Sequence, residues 1–144
     1  MEPLTTAAIA LSSVIAIKAL EKTGEKIGEA LWDRAGKFLT TLKKHSPHTV
    51  AVIEKAPEQP LDYGKAVLEV ELAAKANPEI NQAMQDLALL TENNPPSNLA
   101  QILKEIKAAV EKSPQSPPSS FIQNIEKAIN AAQNQTIDQR GSTF

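Results

Sequence analysis

The sequence predicts an all-α protein, a single bundle of about five to seven helices with a flexible polar tail at its C-terminal end. Apolar residues recur at intervals of three and four along most of the chain, and proline-rich breaks separate these stretches. Only 3% of the residues are aromatic, although 42% are hydrophobic. The core must therefore be built from Ala, Leu, Ile and Val. A length of 144 residues is typical of one domain and suffices to bury a sizeable core.

The first predicted helix opens at Pro3 and is apolar on most of its sides. No residue from 3 to 17 is charged. Such a helix either lies at the centre of a protein core or is suited to another apolar environment such as the interior of a membrane, and both interpretations stay open. These 15 residues would extend about 22 Å, against a hydrocarbon core of about 30 Å. The run is thus too short to cross a membrane alone. Glu2 stands where a secretory signal needs a basic residue, so we expect a cytoplasmic protein.

Residues 21–44 have a different, amphipathic pattern that three glycines interrupt. Gly24 and Gly28 are four residues apart, with Glu25 and Lys26 between them. This G-x-x-x-G spacing indicates either a close helix–helix crossing or a weak joint, and Gly24 and Gly28 are our candidate hinge residues. Whether residues 3–44 form one helix or two stays open.

The middle of the chain is less regular. Ser46 and Pro47 predict the start of a short helix that runs to Ile53, although its β-branched residues would also suit a strand. From Asp62 to about Ala76 the alanines and the length favour a helix, despite five residues that alternate like a strand.

The apolar pattern in the second half of the sequence predicts three helices. Asn77 and Pro78 are expected to cap the first of them. Breaks at 94–97 and 113–118 separate them, and we expect successive antiparallel hairpins. The helical pattern ends at Ala132. The predicted domain therefore spans residues 1–132, and residues 133–144 (QNQTIDQRGSTF) form the tail, which either is disordered or leads into a short β-forming motif.

The sequence contains no pattern typical of an enzyme, a metal site or a cofactor site. Cysteine is absent, and neither a phosphate-binding nor a nucleophile motif occurs. His45 and His48 are three residues apart, but Pro47 lies between them and no third ligand is evident. Basic residues are dispersed and the net charge is −2, so nucleic acid is not an expected partner. We expect no small-molecule substrate either.

Two segments, MEPLTTAAIALSSVIAIKALEKTGEKIGEALWDRAGKFLTTLKKHSP and QPLDYGKAVLEVELAAKANPEI, resemble the Bell domains of filamentous and multicellular bacteria. That family is similar to the fungal HeLo domain and to the four-helix bundle of MLKL, the executioner of necroptosis. The resemblance implies a cell-death effector of bacterial immunity that permeabilises membranes. It also implies an amyloid signalling motif after the domain, through which an NLR-like receptor triggers self-association. It carries over no catalytic residues.

On this hypothesis the first helix would leave the core and enter the inner face of the plasma membrane once the protein oligomerises. The candidate insertion residues are Leu4, Ile9, Leu11, Val14, Ile15, Ile17 and Leu20. Lys18, Lys22 and Lys26 are candidates for contact with anionic lipid headgroups. The alternative is a non-enzymatic adaptor whose first helix is only the centre of the core. We expect Ile15→Asp to abolish permeabilisation in the effector and to unfold the adaptor.

Overall fold

The computed structural model describes residues 3–24, 27–55, 63–96, 98–112 and 119–141, and within these ranges it contains seven helices and no strand. The all-α prediction is confirmed. The helices are α1 (Pro3–Thr23), α2 (Glu29–His45), α3 (Pro47–Glu54), α4 (Tyr63–Ala76), α5 (Pro78–Asn93), α6 (Leu99–Glu111) and α7 (Ser119–Gly141).

The bundle is built around α1, which packs against α2, α4, α5, α6 and α7. Because neighbours surround it, α1 has to be apolar on all sides rather than on one face. α5 and α6 follow each other in the chain and both pack against α1, but they do not pack extensively on each other. The expectation of successive hairpins is therefore wrong at this pair. It holds better for α6 and α7, which do pack together.

Residues 3–44 form two helices, which resolves the question that the sequence left open. α1 ends where Gly24 takes the left-handed conformation, with φ of +80°, and its N–H bonds to the Glu21 carbonyl at 3.1 Å. Glycine adopts this conformation without steric cost, so it is a common helix terminator. Gly28, with φ of −60° and ψ of 134°, immediately precedes α2.

The ambiguous segment after Ser46 is a helix, α3, and Pro47 is its first residue. Ser46 stands at the capping position, but its side chain makes no capping bond. α3 is tied to α4 by the Thr49 hydroxyl, which donates to Glu69 Oε2 at 3.0 Å. Tertiary packing of Val50 and Ile53, both buried, has overridden the β propensity of this segment.

α2 and α5 run antiparallel. The last residue of α2, His45, contacts Asn77 at the start of α5, and Arg34 in mid-α2 pairs with Asp86 in mid-α5 at 3.5 Å. Asn77 caps α5 as predicted, because its side-chain oxygen accepts from the N–H groups of Glu79 and Ile80.

The sequence predicted that the helical pattern ends at Ala132. In the structure, α7 continues for nine more residues, to Gly141. No proline or glycine interrupts residues 119–140, and glutamine is a good helix former, so nothing local stops the helix earlier. Residues 142–144 lie outside the described residues. The division between a domain and a tail stays a prediction.

Candidate functional site

The candidate insertion residues are all core residues of the folded bundle. Each of the seven is at most 8% exposed. They belong to a helix that packs against α2, α4, α5, α6 and α7, so they are enclosed by the bundle. In this conformation α1 therefore offers no apolar face to a membrane.

α1 is longer than its uncharged stretch. Its 21 residues correspond to about 31 Å, close to the thickness of a hydrocarbon core. Among the described residues it is the one helix long and apolar enough to cross a membrane, over Leu4–Thr23, although buried core helices of soluble proteins meet the same criteria. The expectation that the segment is too short came from counting only residues 3–17, whereas the helix continues through Lys18 and Lys22.

The candidate headgroup residues lie at the C-terminal end of α1. Lys22 is exposed and Lys18 is partly buried, one helical turn earlier. Lys26 lies outside the described residues. The two described lysines thus share one side of the last turns of α1, at the boundary between the core and solvent.

The two candidate hinge residues flank the joint between α1 and α2. A Cβ atom added to Gly24 or Gly28 would meet nothing within 4 Å. The close-crossing interpretation of the G-x-x-x-G spacing is therefore wrong, because neither glycine makes room for a neighbouring helix. Their positions at the end of α1 and just before α2 agree with a joint between two helices.

A cavity of about 460 Å³ lies at this joint; we call it the joint cavity. It is lined by Leu20, Ile27, Gly28 and Leu31 on one side and by Leu90 and Asn94–Pro96 on the other. The α1–α2 joint therefore faces the connection between α5 and α6 across a space that side chains do not fill.

A second cavity, of about 350 Å³, lies between α1, α6 and α7; we call it the α7 cavity. Ile9, Leu99 and Leu103 form part of its apolar lining, and Pro95 lines both cavities. The Glu92 carboxyl also lines it, and burial raises the pKa of this group. A carboxyl in such surroundings favours its neutral form more than a solvated one does.

Two polar contacts to other parts of the bundle, which sequence reasoning missed, anchor the second half of α1. The Ser13 and Thr91 hydroxyls, both fully buried, share a hydrogen bond of 2.9 Å. The Thr91 oxygen is also 2.8 Å from the Leu87 carbonyl. The Asn98 side-chain N–H donates to the Ala16 carbonyl at 3.4 Å. The sequence contains a signal for such a contact, because a serine that is buried in an apolar helix needs a hydrogen-bond partner.

Ser12 differs from Ser13 in that its partner is in its own helix. Its hydroxyl donates to the Ile9 carbonyl at 2.7 Å. This bond moves with α1 and needs no other helix.

The two histidines belong to different helices, with His45 ending α2 and His48 in the first turn of α3. The His45 ring nitrogen Nε2 lies 2.8 Å from the Asn77 amide nitrogen. Within the described part of the chain, no group of three or more potential metal ligands occurs.

No family model, curated protein or solved structure matches this chain. The geometry of α1 and its contacts is therefore the basis for any functional proposal.

Proposed function

We propose that this protein is a latent membrane-permeabilising effector, in which α1 is stored as the centre of the bundle and enters lipid when copies oligomerise. The observation that carries the proposal is α1 itself, which is about as long as a bilayer core is thick, is buried on all sides and carries Lys18 and Lys22 in its last turns. Its resemblance to Bell domains adds a context of programmed cell death. There an NLR-like receptor would act through the C-terminal segment, and a cytoplasmic protein would move to the plasma membrane.

Energetics limit how α1 can leave the bundle. Burying the seven candidate insertion residues contributes about 10–20 kcal/mol at roughly 1.5–3 kcal/mol each. That equals or exceeds the total stability of most domains, about 5–15 kcal/mol. Exposing α1 to water is therefore equivalent to unfolding. Transfer becomes feasible only if lipid receives α1 as it leaves.

The internal bonding of α1 suits such a transfer. Ser12 keeps its bond to the Ile9 carbonyl wherever the helix goes, and all backbone groups inside a helix are paired. Lys18 and Lys22 would extend towards anionic headgroups at the membrane surface. Ser13 and the Ala16 carbonyl are exceptions, because their partners Thr91 and Asn98 lie outside α1.

The second candidate function is an adaptor that docks a protein partner. It is favoured by the complete burial of residues 4–17, since a central core helix needs the same composition without any membrane. Trp32, Leu72 and Leu89 are large apolar side chains that the bundle leaves exposed, and they are candidates for such docking.

The test is a reversible lock on α1. The Ser13 and Thr91 hydroxyls are 2.9 Å apart, so the double variant Ser13→Cys/Thr91→Cys places two thiols side by side for a disulfide, and the chain has no other cysteine. The full chain would be fused to a domain that a small molecule clusters, and dye release from vesicles of phosphatidylglycerol and phosphatidylcholine would be measured. We expect leakage from the clustered, reduced protein and little from the oxidised one.

The single variants Ser13→Cys and Thr91→Cys are the controls, because they carry the same changes but cannot form the bond within one chain. If clustered wild-type protein released no dye, or if the oxidised double variant leaked as fast as the reduced one, α1 would not be the inserting element. Ile15→Asp no longer separates the two functions. Ile15 is buried, so a charge there is expected to unfold the bundle in either case.

A further inference from the structure

Asn98 stands directly before α6, at the capping position, yet its side chain makes no capping bond. Instead, its amide N–H donates to the Ala16 carbonyl in α1. Its side-chain oxygen is buried and has no hydrogen-bond partner among the described residues. A buried acceptor without a partner is unfavourable, so this arrangement leaves one polar atom of Asn98 unsatisfied.

Asn77 provides a comparison within the same chain. It precedes α5, has an extended backbone with φ of −141° and ψ of 116°, and caps its helix through its side-chain oxygen. Asn98 has φ of −98° and ψ of 6°. Because capping residues normally have an extended backbone, Asn98 would need to rotate its ψ angle to cap α6.

Space for such a rotation lies beside the connection that precedes Asn98. Pro95 lines both the joint cavity and the α7 cavity. Pro95, three residues before Asn98, therefore has unfilled volume on two sides and can move without displacing packed side chains. The same connection begins near Thr91, which holds Ser13 one turn before Ala16 on α1.

We propose that Asn98 is a two-position latch that either ties α1 to the start of α6 or caps α6 and releases this one tie on the second half of α1. In the latched position Asn98 bonds to Ala16 and leaves α6 uncapped. In the open position its side-chain oxygen accepts from the first-turn N–H groups of α6, as Asn77 does for α5. The gain of the cap offsets the loss of the tie, which keeps the two positions close in free energy.

The consequence for α1 release rests on the proposed function, but the latch itself is testable in solution without lipid. Asn98→Ser keeps a good capping residue but is too short to reach Ala16. We expect amide hydrogen exchange at residues 17–23 to speed up about fivefold or more. In the same variant, exchange at Ala100 and Gln101 slows about fivefold, the effect of a new cap.

Asn98→Ala is the matched variant, because alanine neither ties α1 nor caps α6. It is expected to speed exchange at residues 17–23 with no slowing at the start of α6. Asn77→Ser, which keeps a cap on α5, is expected to leave both regions unchanged. Opposite changes in α1 and α6 in Asn98→Ser distinguish a latch from a general loss of stability, which would speed exchange throughout.

If Asn98→Ser speeds exchange at both places, or at neither, the latch is overturned. Dye release separates this result from the proposed function. If exchange changes in opposite directions in α1 and α6, Asn98→Ser should also leak dye at a lower concentration of the clustering molecule than the wild type does. These opposite changes in exchange without leakage from any variant would support the latch and contradict the membrane function.

Discussion

Single hydroxyl groups in the core of this bundle differ in what they hold together. Ser13 and Thr91 join α1 to α5, whereas Ser12 bonds only within α1. Removing one partner of a buried hydrogen bond leaves the other unsatisfied. The polar residues that matter for the position of α1 are therefore those with partners in other helices.

Thr91→Val tests this at the residue scale. Valine keeps the shape of threonine but leaves the Ser13 hydroxyl without its partner, so we expect a loss of about 1–3 kcal/mol in the free energy of unfolding. Thr41→Val is the control, since the Thr41 hydroxyl bonds the Lys37 carbonyl of its own helix in an exposed setting. Urea unfolding would measure both. If both variants lowered the free energy of unfolding by the same small amount, the Thr91 hydroxyl would not be needed to hold α1 to α5.

Glu92 gives a pH dependence. Burial raises the pKa of its carboxyl above the unfolded value, so the folded state binds the proton more tightly. Its contribution to stability is fully present below the unfolded pKa, about 4.3, and is lost as the pH rises through the folded pKa. Glu92→Gln should remove this loss, so that the free energy of unfolding, measured in urea, changes less as the pH rises above about 4.3. A profile as steep as that of the wild type would contradict this assignment.

At the scale of elements, the α1–α2 joint depends on two glycines in different ways. Gly24 has φ of +80°, where a side chain is strained although space is available. Gly28 has an ordinary φ of −60°. The same substitution at the two positions should therefore have different effects.

We expect Gly24→Ala to lower the free energy of unfolding by about 1–2 kcal/mol. Gly28→Ala should change it by less than about 1 kcal/mol, because alanine restricts the unfolded chain but is a poorer residue than glycine at the capping position of α2. Thermal unfolding of the two variants beside the wild type would measure the difference. A larger loss at Gly28 than at Gly24 would contradict the backbone argument.

Sequence patterns predicted the elements better than their partners. The apolar run of α1, the Asn77 cap and the proline breaks are local signals, and each marks an element that the structure contains. Periodicity reveals which face of a helix is buried but not which helix covers it. The Ser13–Thr91 contact joins residues 78 positions apart, and the separation of α5 from α6 by α1 is equally non-local. A serine in an apolar helix indicates that a partner is needed but not which residue provides it, and no local pattern indicates which helices pack together.

At the scale of the whole molecule, the described core ends at Ala132. A chain that ends at residue 132 is therefore expected to keep the helical content per residue and the cooperative unfolding of the full chain, as measured by circular dichroism. The proposed self-association should weaken in this shorter chain, which sedimentation of clustered and unclustered samples would test. Loss of folding on truncation would place part of the core beyond Ala132.

The central position of α1 also has a consequence for biosynthesis. α1 precedes every helix that surrounds it, and α6 and α7 are completed only after residue 111. At about 5–20 residues per second, translation would leave this apolar helix without its full set of neighbours for roughly 5–20 s. During that interval a nascent chain presents the ribosome, chaperones and any nearby bilayer with the surface that the mature bundle conceals.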